Sequence, residues 1–161
     1  MTRNRASAKA AGARFERVIA DCLAEHVDDR IDRRPKTGAK DKGDIGGVRH
    51  MGGRVVIECK DVSTAALSQW VTEAEIERGN DDALAGLVIH KRRGRADPLE
   101  QYVTLTMRDL VALLTGHRID PPAEHQTGEK AKDHRPAYVE AKAAIAAAKL
   151  QTSTATTTEE N

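Results

Sequence analysis

Cysteine is the first scarcity. The chain has two thiols in 161 residues, Cys22 and Cys59, too few for a disulfide framework, a four-Cys zinc site or a four-Cys iron–sulfur cluster. Aromatic residues are almost as rare: one Phe, one Trp and two Tyr. That argues against the base-stacking sheets of RRM or single-strand-binding modules. No apolar run approaches the roughly 18 residues that span a bilayer, which excludes a membrane protein of the helical kind. The start of the chain, Met1 to Ala11, is basic and Ala-rich but has no apolar stretch of the secretory type, so a cytoplasmic protein is expected. An excess of one charge is missing too: 26 Lys and Arg face 25 Asp and Glu, for a formal net charge of +1. The six histidines show no H-x-x-x-H spacing, and His90 reads as structural or phosphate-facing.

What is present is a modest core on a heavily charged chain, 39% hydrophobic and 32% charged. The near-neutral balance conceals three basic clusters. Arg3, Arg5, Lys9, Arg14 and Arg17 form the first. Arg30, Arg33, Arg34, Lys36, Lys40 and Lys42 form the second, and Lys91, Arg92, Arg93 and Arg95 the third. Clusters of this kind are a footprint for a polyanion, or else a solvated surface with ordinary ion pairs.

The organisation follows from periodicity. Phe15, Val18, Ile19, Cys22 and Leu23 recur at helical spacing and predict a helix over 10–27. A short strand is expected at 30–34, ended by Pro35, then a Lys- and Gly-rich mobile loop over 36–43. A weak strand over 44–50 and a Gly52-Gly53 turn lead into the clearest strand, Arg54 to Asp61. A helix over 64–78 carries Leu67, Trp70 and Val71 toward the core. Strands are expected at 84–90 and 102–106. A final helix runs over 106–115, with Thr106 as its cap and Gly116 as its close. Residues 123–135 read as a polar linker, 137–150 as an Ala-rich helix and 151–161 as disordered. The fold class is therefore α/β: a mixed sheet flanked by helices in the order α-β-β-β-α-β-β-α. A basic arm (1–9), a core domain (10–118) and a tail (119–161) divide the chain.

The strand from Arg54 to Asp61 carries the chemistry. Side chains alternate along a strand, so Val55, Ile57 and Cys59 share one face while Val56, Glu58 and Lys60 share the other. Both cysteines fall on core-facing positions and read as reduced packing residues. Asp44 lies on the strand that the hairpin brings alongside. Asp44 and Glu58 can converge on one Mg²⁺, a hard cation that takes oxygen ligands and keeps several waters. The backbone carbonyl of Cys59 offers a further oxygen, and Lys60 stands beside it. Asp41 is the rival of Asp44, but it sits in the Lys/Gly loop rather than ahead of an apolar residue.

Asp44 followed by Glu58-Cys59-Lys60 on an apolar strand resembles the PD-(D/E)XK nuclease signature. Glu16, in the context Gly12-x-x-Phe15-Glu16 on the first helix, extends the resemblance to the archaeal-type and phage Holliday junction resolvases over about residues 10–110. Gly43 stands where that signature has Pro, and Gln69 does not open a Q-x-x-x-Y element. The resemblance implies a restriction-endonuclease-like fold and an endonuclease that hydrolyses DNA phosphodiester bonds to 5′-phosphate and 3′-hydroxyl ends. Its catalytic residues would be Glu16, Asp44, Glu58 and Lys60. Its metal would be Mg²⁺, with Mn²⁺ as substitute, on Asp44, Glu58, the Cys59 carbonyl and Glu16, with no small-molecule cofactor. Its partners would be four-way DNA junctions and a second copy of the chain, since a two-fold branched substrate takes two symmetric cuts. Arg33, Arg34, Lys36, Lys40, Lys42, Lys91, Arg92 and Arg93 are the expected DNA contacts. Another repair, restriction or end-processing nuclease, or a non-catalytic nucleic-acid-binding module, are the alternatives.

Overall fold

The Ala-rich opening RASAKAAGA has high helix propensity. In the computed structural model, which describes residues 5–36 and 38–120, the first helix, α1, accordingly starts at Arg5 and runs to His26. It begins well ahead of its apolar stripe. Successive helical residues are about 100° apart, and the buried arc holds Ala11, Phe15, Glu16, Ile19 and Ala20. That arc is rotated from the expected stripe, so Val18 is 43% exposed and Cys22 is only partly covered. The same rotation carries Glu16 inward.

Four strands follow where three were expected: the short β1 (Asp32–Arg33), β2 (Ile45–Gly46) and β3 (Arg49–His50), and the longer β4 (Gly53–Lys60). The segment over 44–50 is broken in two at Gly47, whose φ is +87°. The hairpin pairs His50 with Gly53, so the turn falls on Met51-Gly52 rather than Gly52-Gly53. Both turn residues have positive φ, +47° and +82°, the combination that matches the twist of a two-residue hairpin.

Helix α2 (Leu67–Asn80) then carries the chain back to β5 (Ala85–His90), which pairs in parallel with β4 from Val55↔Ala85 to Lys60↔His90. Strand β6 (Tyr102–Thr104) closes the sheet antiparallel to β5. Helix α3 (Met107–Thr115) follows, with Thr106 accepting from the Asp109 N–H and Gly116 in the left-handed conformation at its end. The sheet order is β1-β2-β4-β5-β6, with β3 paired to β4 off this path. The architecture is an α/β fold with a mixed open sheet flanked by helices.

Phe15, Ile19 and Ala20 pack on Ile45, Val55, Ile57, Cys59 and Ile89 to form one core cluster; Trp70, Ala74 and Val88 form a second. The odd residues of β4 thus serve the α1 side, as alternation requires. Glu58 and Lys60 point the other way. The chain divides into two units after Arg118. The expected linker, Ala-rich helix and disordered tail lie outside the described residues. No helix among those residues is long and apolar enough to cross a membrane.

Candidate active site

Asp44 immediately precedes β2, and its backbone is fixed on both sides. Its N–H donates to the Ile57 carbonyl at 2.9 Å, and its own carbonyl accepts from the Arg34 N–H at 2.7 Å. Gly43 makes this approach possible. Its φ is +85°, and a Cβ there would lie 2.8 Å from Val56 Cγ1 and 2.9 Å from the Ile57 carbonyl oxygen. The Asp44 side chain then turns onto the strand: Oδ2 accepts from the Cys59 N–H at 3.0 Å. The N–H and C=O of one strand residue point to the same edge, so the Cys59 carbonyl faces the same opening as Asp44.

Glu58, 8% exposed, accepts from Lys60 Nζ at 2.8 Å. Lys60 Nζ also donates to Glu73 Oε2 on α2 at 2.7 Å, and Glu73 accepts from Gln69 at 2.8 Å through its other oxygen. Burial works against the Lys60 charge, but the bonds to Glu58 and Glu73 outweigh it and raise its pKa. Lys60 is therefore a fixed, protonated donor. The Glu58 pKa also rises, which for a carboxyl favours the neutral form. Burial, reinforced by the Asp44 carboxylate, pushes its pKa up to about 8.

Glu77 on α2 joins this group, and sequence reasoning passed it over. Burial, then the Asp44 and Asp41 carboxylates, push its pKa up to about 7. Its Oε2 is buried without a hydrogen-bond partner. The signal was present in the sequence. Trp70 and Ala74 are the buried stripe of α2, and Glu73 and Glu77 lie three and seven residues beyond Trp70, on that same face.

Glu16, 7% exposed, approaches from α1. Arg33 holds its Oε2 through Nε at 3.1 Å and through Nη2. Lys36 Nζ bridges the two elements, 3.0 Å from Asp44 Oδ1 and 3.7 Å from Glu16 Oε1. Burial opposes the Lys36 charge, but the Asp44 hydrogen bond prevails and raises its pKa. Glu16, Asp44, Glu58 and Lys60 thus converge at one end of β4, with Lys36 linking the first two.

The expected DNA contacts divide into four groups. Arg33 and Lys36 turn onto the acids just described. Arg34 and Lys42 turn onto the buried Asp81, at 2.9 Å and 3.3 Å. The 36–43 segment, expected as a mobile loop, carries a 3₁₀ turn at Gly38–Lys40, and Asn80 Nδ2 donates to the Asp41 carbonyl at 2.8 Å. Lys40 is exposed on that turn. Lys91, Arg92 and Arg93 gather beyond Lys60, around a cleft shared with Trp70 and Tyr102. Cys59 is buried and its thiol is pushed up by burial, which suits packing and not nucleophilic attack.

Among the described residues no group of three or more His, Cys, Asp or Glu forms a ready metal site. Mg²⁺ needs less than that, since it binds through one or two carboxylates and keeps several waters. The donor set here is of that kind: Asp44, Glu58 and a backbone carbonyl, all hard oxygens. The crowding of Asp44, Glu58 and Glu77, with one buried oxygen unpartnered, is the environment that a divalent cation relieves. The residues fit the ion. Comparison with known proteins returns no matching family model, no similar curated protein and no similar solved structure.

Proposed function

We propose that the chain is a Mg²⁺-dependent DNA endonuclease with a restriction-endonuclease-like fold, acting in the cytoplasm as a homodimer on branched DNA such as four-way junctions. One observation carries this reading: at the end of β4 a protonated Lys60 stands 2.8 Å from Glu58, beside an Asp44 locked to the Cys59 N–H at 3.0 Å. Asp44, Glu58 and the Cys59 carbonyl would hold Mg²⁺, or Mn²⁺ in its place. When bound, the ion supplies a Lewis acid for the phosphate and activates water for attack. Lys60 orients the attacking water and donates to the phosphate oxygens as charge develops there. Glu58 and Glu73 fix its ammonium between them, so this donor is positioned before the substrate arrives. Glu16 sets Arg33 and Lys36 at the mouth of the site, where both are within reach of a phosphate that displaces them from carboxylates.

Incubation of the purified chain with a four-way junction, a duplex and a single strand of matched length, with and without Mg²⁺, tests the reading. Cleavage that requires Mg²⁺ and favours the junction is expected. Mg²⁺-dependent cleavage without junction preference would leave a general repair or end-processing nuclease. Binding without cleavage would leave a non-catalytic nucleic-acid module.

A further inference from the structure

Aromatic residues are scarce in this chain, yet three rings meet at one place. His90 lies between Trp70 and Tyr102, with centroid distances of 5.5 Å to each. They border a cleft of about 380 Å³ that begins at Lys60. His90 is held neutral, since burial lowers its pKa, and its Nε2 is 2.9 Å from Thr104 Oγ1. The ring is thus a polarisable wall and not a further charge. Tyr102 is 50% exposed on the edge strand.

The charged residues of the lining are all cationic, beside the apolar Val62 and Ala65, and it contains no carboxylate. Lys91 rests over the Phe15 ring at 5.5 Å and Arg92 over the Tyr102 ring at 5.4 Å. Neither has a carboxylate partner among the described residues. Arg93 is paired with Asp61 at 3.1 Å and is half exposed. Ser63 adds a hydroxyl. The exposed Tyr102 ring beside cations, in a lining without carboxylates, is the chemistry that takes up a nucleotide: a base against the ring, a phosphate against the lysine and arginines.

We infer that this cleft binds an unpaired nucleotide of the DNA substrate, next to the bond that Lys60 serves. The inference rests on the nuclease reading for its orientation and narrows the substrate to DNA with a nucleotide freed at a branch or end. A fully paired strand keeps its bases stacked inside the helix and cannot enter the cleft. Phosphates alone would be held anywhere on a basic surface, so the base must contribute for the cleft to be a site.

The test measures equilibrium binding of the full chain by fluorescence anisotropy in EDTA, so that cleavage plays no part. Three probes share one duplex: blunt, with a three-thymidine tail, and with a three-residue abasic tail of equal phosphate count. Thymidine 5′-monophosphate serves as competitor. The thymidine tail is expected to bind about ten-fold more tightly than the abasic tail, as stacking of one base on a ring allows. Tyr102→Ala and Arg92→Ala should each reduce that ratio at least three-fold, while Tyr102→Phe preserves it. Tyr102 is half exposed, so these variants should keep the wild-type melting temperature. Equal affinity for the two tails, or an unchanged ratio in Tyr102→Ala, overturns the inference. Competition by millimolar thymidine monophosphate without any preference for the thymidine tail would assign the cleft to free nucleotides and overturn it also. The ratio is independent of cleavage. A chain that shows it but does not cut DNA with Mg²⁺ would retain the cleft and lose the nuclease reading.

Discussion

Two buried carboxylate centres flank the parallel strands β4 and β5, and they are built on opposite principles. Asp109, 2% exposed, accepts from the Gly86 N–H at 3.2 Å and from Arg118 at 2.6 Å, and it bonds the Thr106 hydroxyl. Burial raises its pKa, but these partners prevail and hold it below the usual carboxylate range. Arg118 is completed by Glu75 at 2.8 and 2.9 Å. Around Glu58 the balance is reversed. Burial and neighbouring carboxylates push Glu58 and Glu77 upward, and one Glu77 oxygen has no partner. A buried acid that serves only the fold is matched with donors, because an unmatched one costs several kcal/mol. The centre at the end of β4 is left short of positive charge, and that deficit is what a divalent ion would fill.

The largest effect separates the two centres by activity. Asp44→Asn, Glu58→Gln and Lys60→Ala should each lower single-turnover cleavage by roughly a hundred- to a thousand-fold. Circular dichroism and DNA affinity should stay close to wild type. Arg118→Ala should leave the cleavage chemistry in place in the folded fraction.

Next in size is stability, where the roles exchange. Arg118→Ala strands Asp109 in the interior and should cost about 3–5 kcal/mol in urea denaturation. Glu58→Gln without metal should cost little or stabilise, because it removes charge from a crowded site. The acid limb sharpens the contrast. Asp109 has a depressed folded pKa, so its stabilisation is full above its ordinary value of 3.8 and is lost as pH falls through the lower folded value. Arg118→Ala should flatten that part of the stability curve.

The β4 centre is legible in the amino-acid sequence because its signals are local. Alternation along an eight-residue strand puts Glu58 and Lys60 on one face whatever else the chain does. The cap and close of α3, Thr106 and Gly116, are legible for the same reason. What stays hidden in the sequence depends on rotation and long-range pairing. The true orientation of α1 buries Glu16 and Ala20 while exposing Val18. The destinations of the basic residues are hidden as well. Nothing local tells Arg34 and Lys42 to meet Asp81, which lies beyond α2 in the chain. Glu77 escapes notice because a carboxylate on a helix reads as solvated unless the buried stripe is followed through it.

Two smaller effects probe the deficit of charge itself. Glu77→Gln should weaken Mn²⁺ affinity by about ten-fold, equivalent to about 1.4 kcal/mol, as measured by isothermal titration. Lys36→Met should act oppositely. Lys36 Nζ lies 3.0 Å from Asp44 Oδ1, where its charge competes with a divalent ion, so its removal should tighten Mn²⁺ binding by about three-fold. An unchanged constant in Lys36→Met would show that the lysine moves aside without cost.

If the crowded acids at the end of β4, and not the matched acid at Asp109, form a divalent-ion site, the two centres must differ in metal binding. Mn²⁺ binding followed by electron paramagnetic resonance measures this directly in wild type, Asp44→Asn, Glu58→Gln and Asp109→Asn. Stoichiometric Mn²⁺ binding is expected in wild type and in folded Asp109→Asn, with loss of that binding in Asp44→Asn and Glu58→Gln. Absence of Mn²⁺ binding in wild type, or binding that survives both β4-centre substitutions, would contradict it.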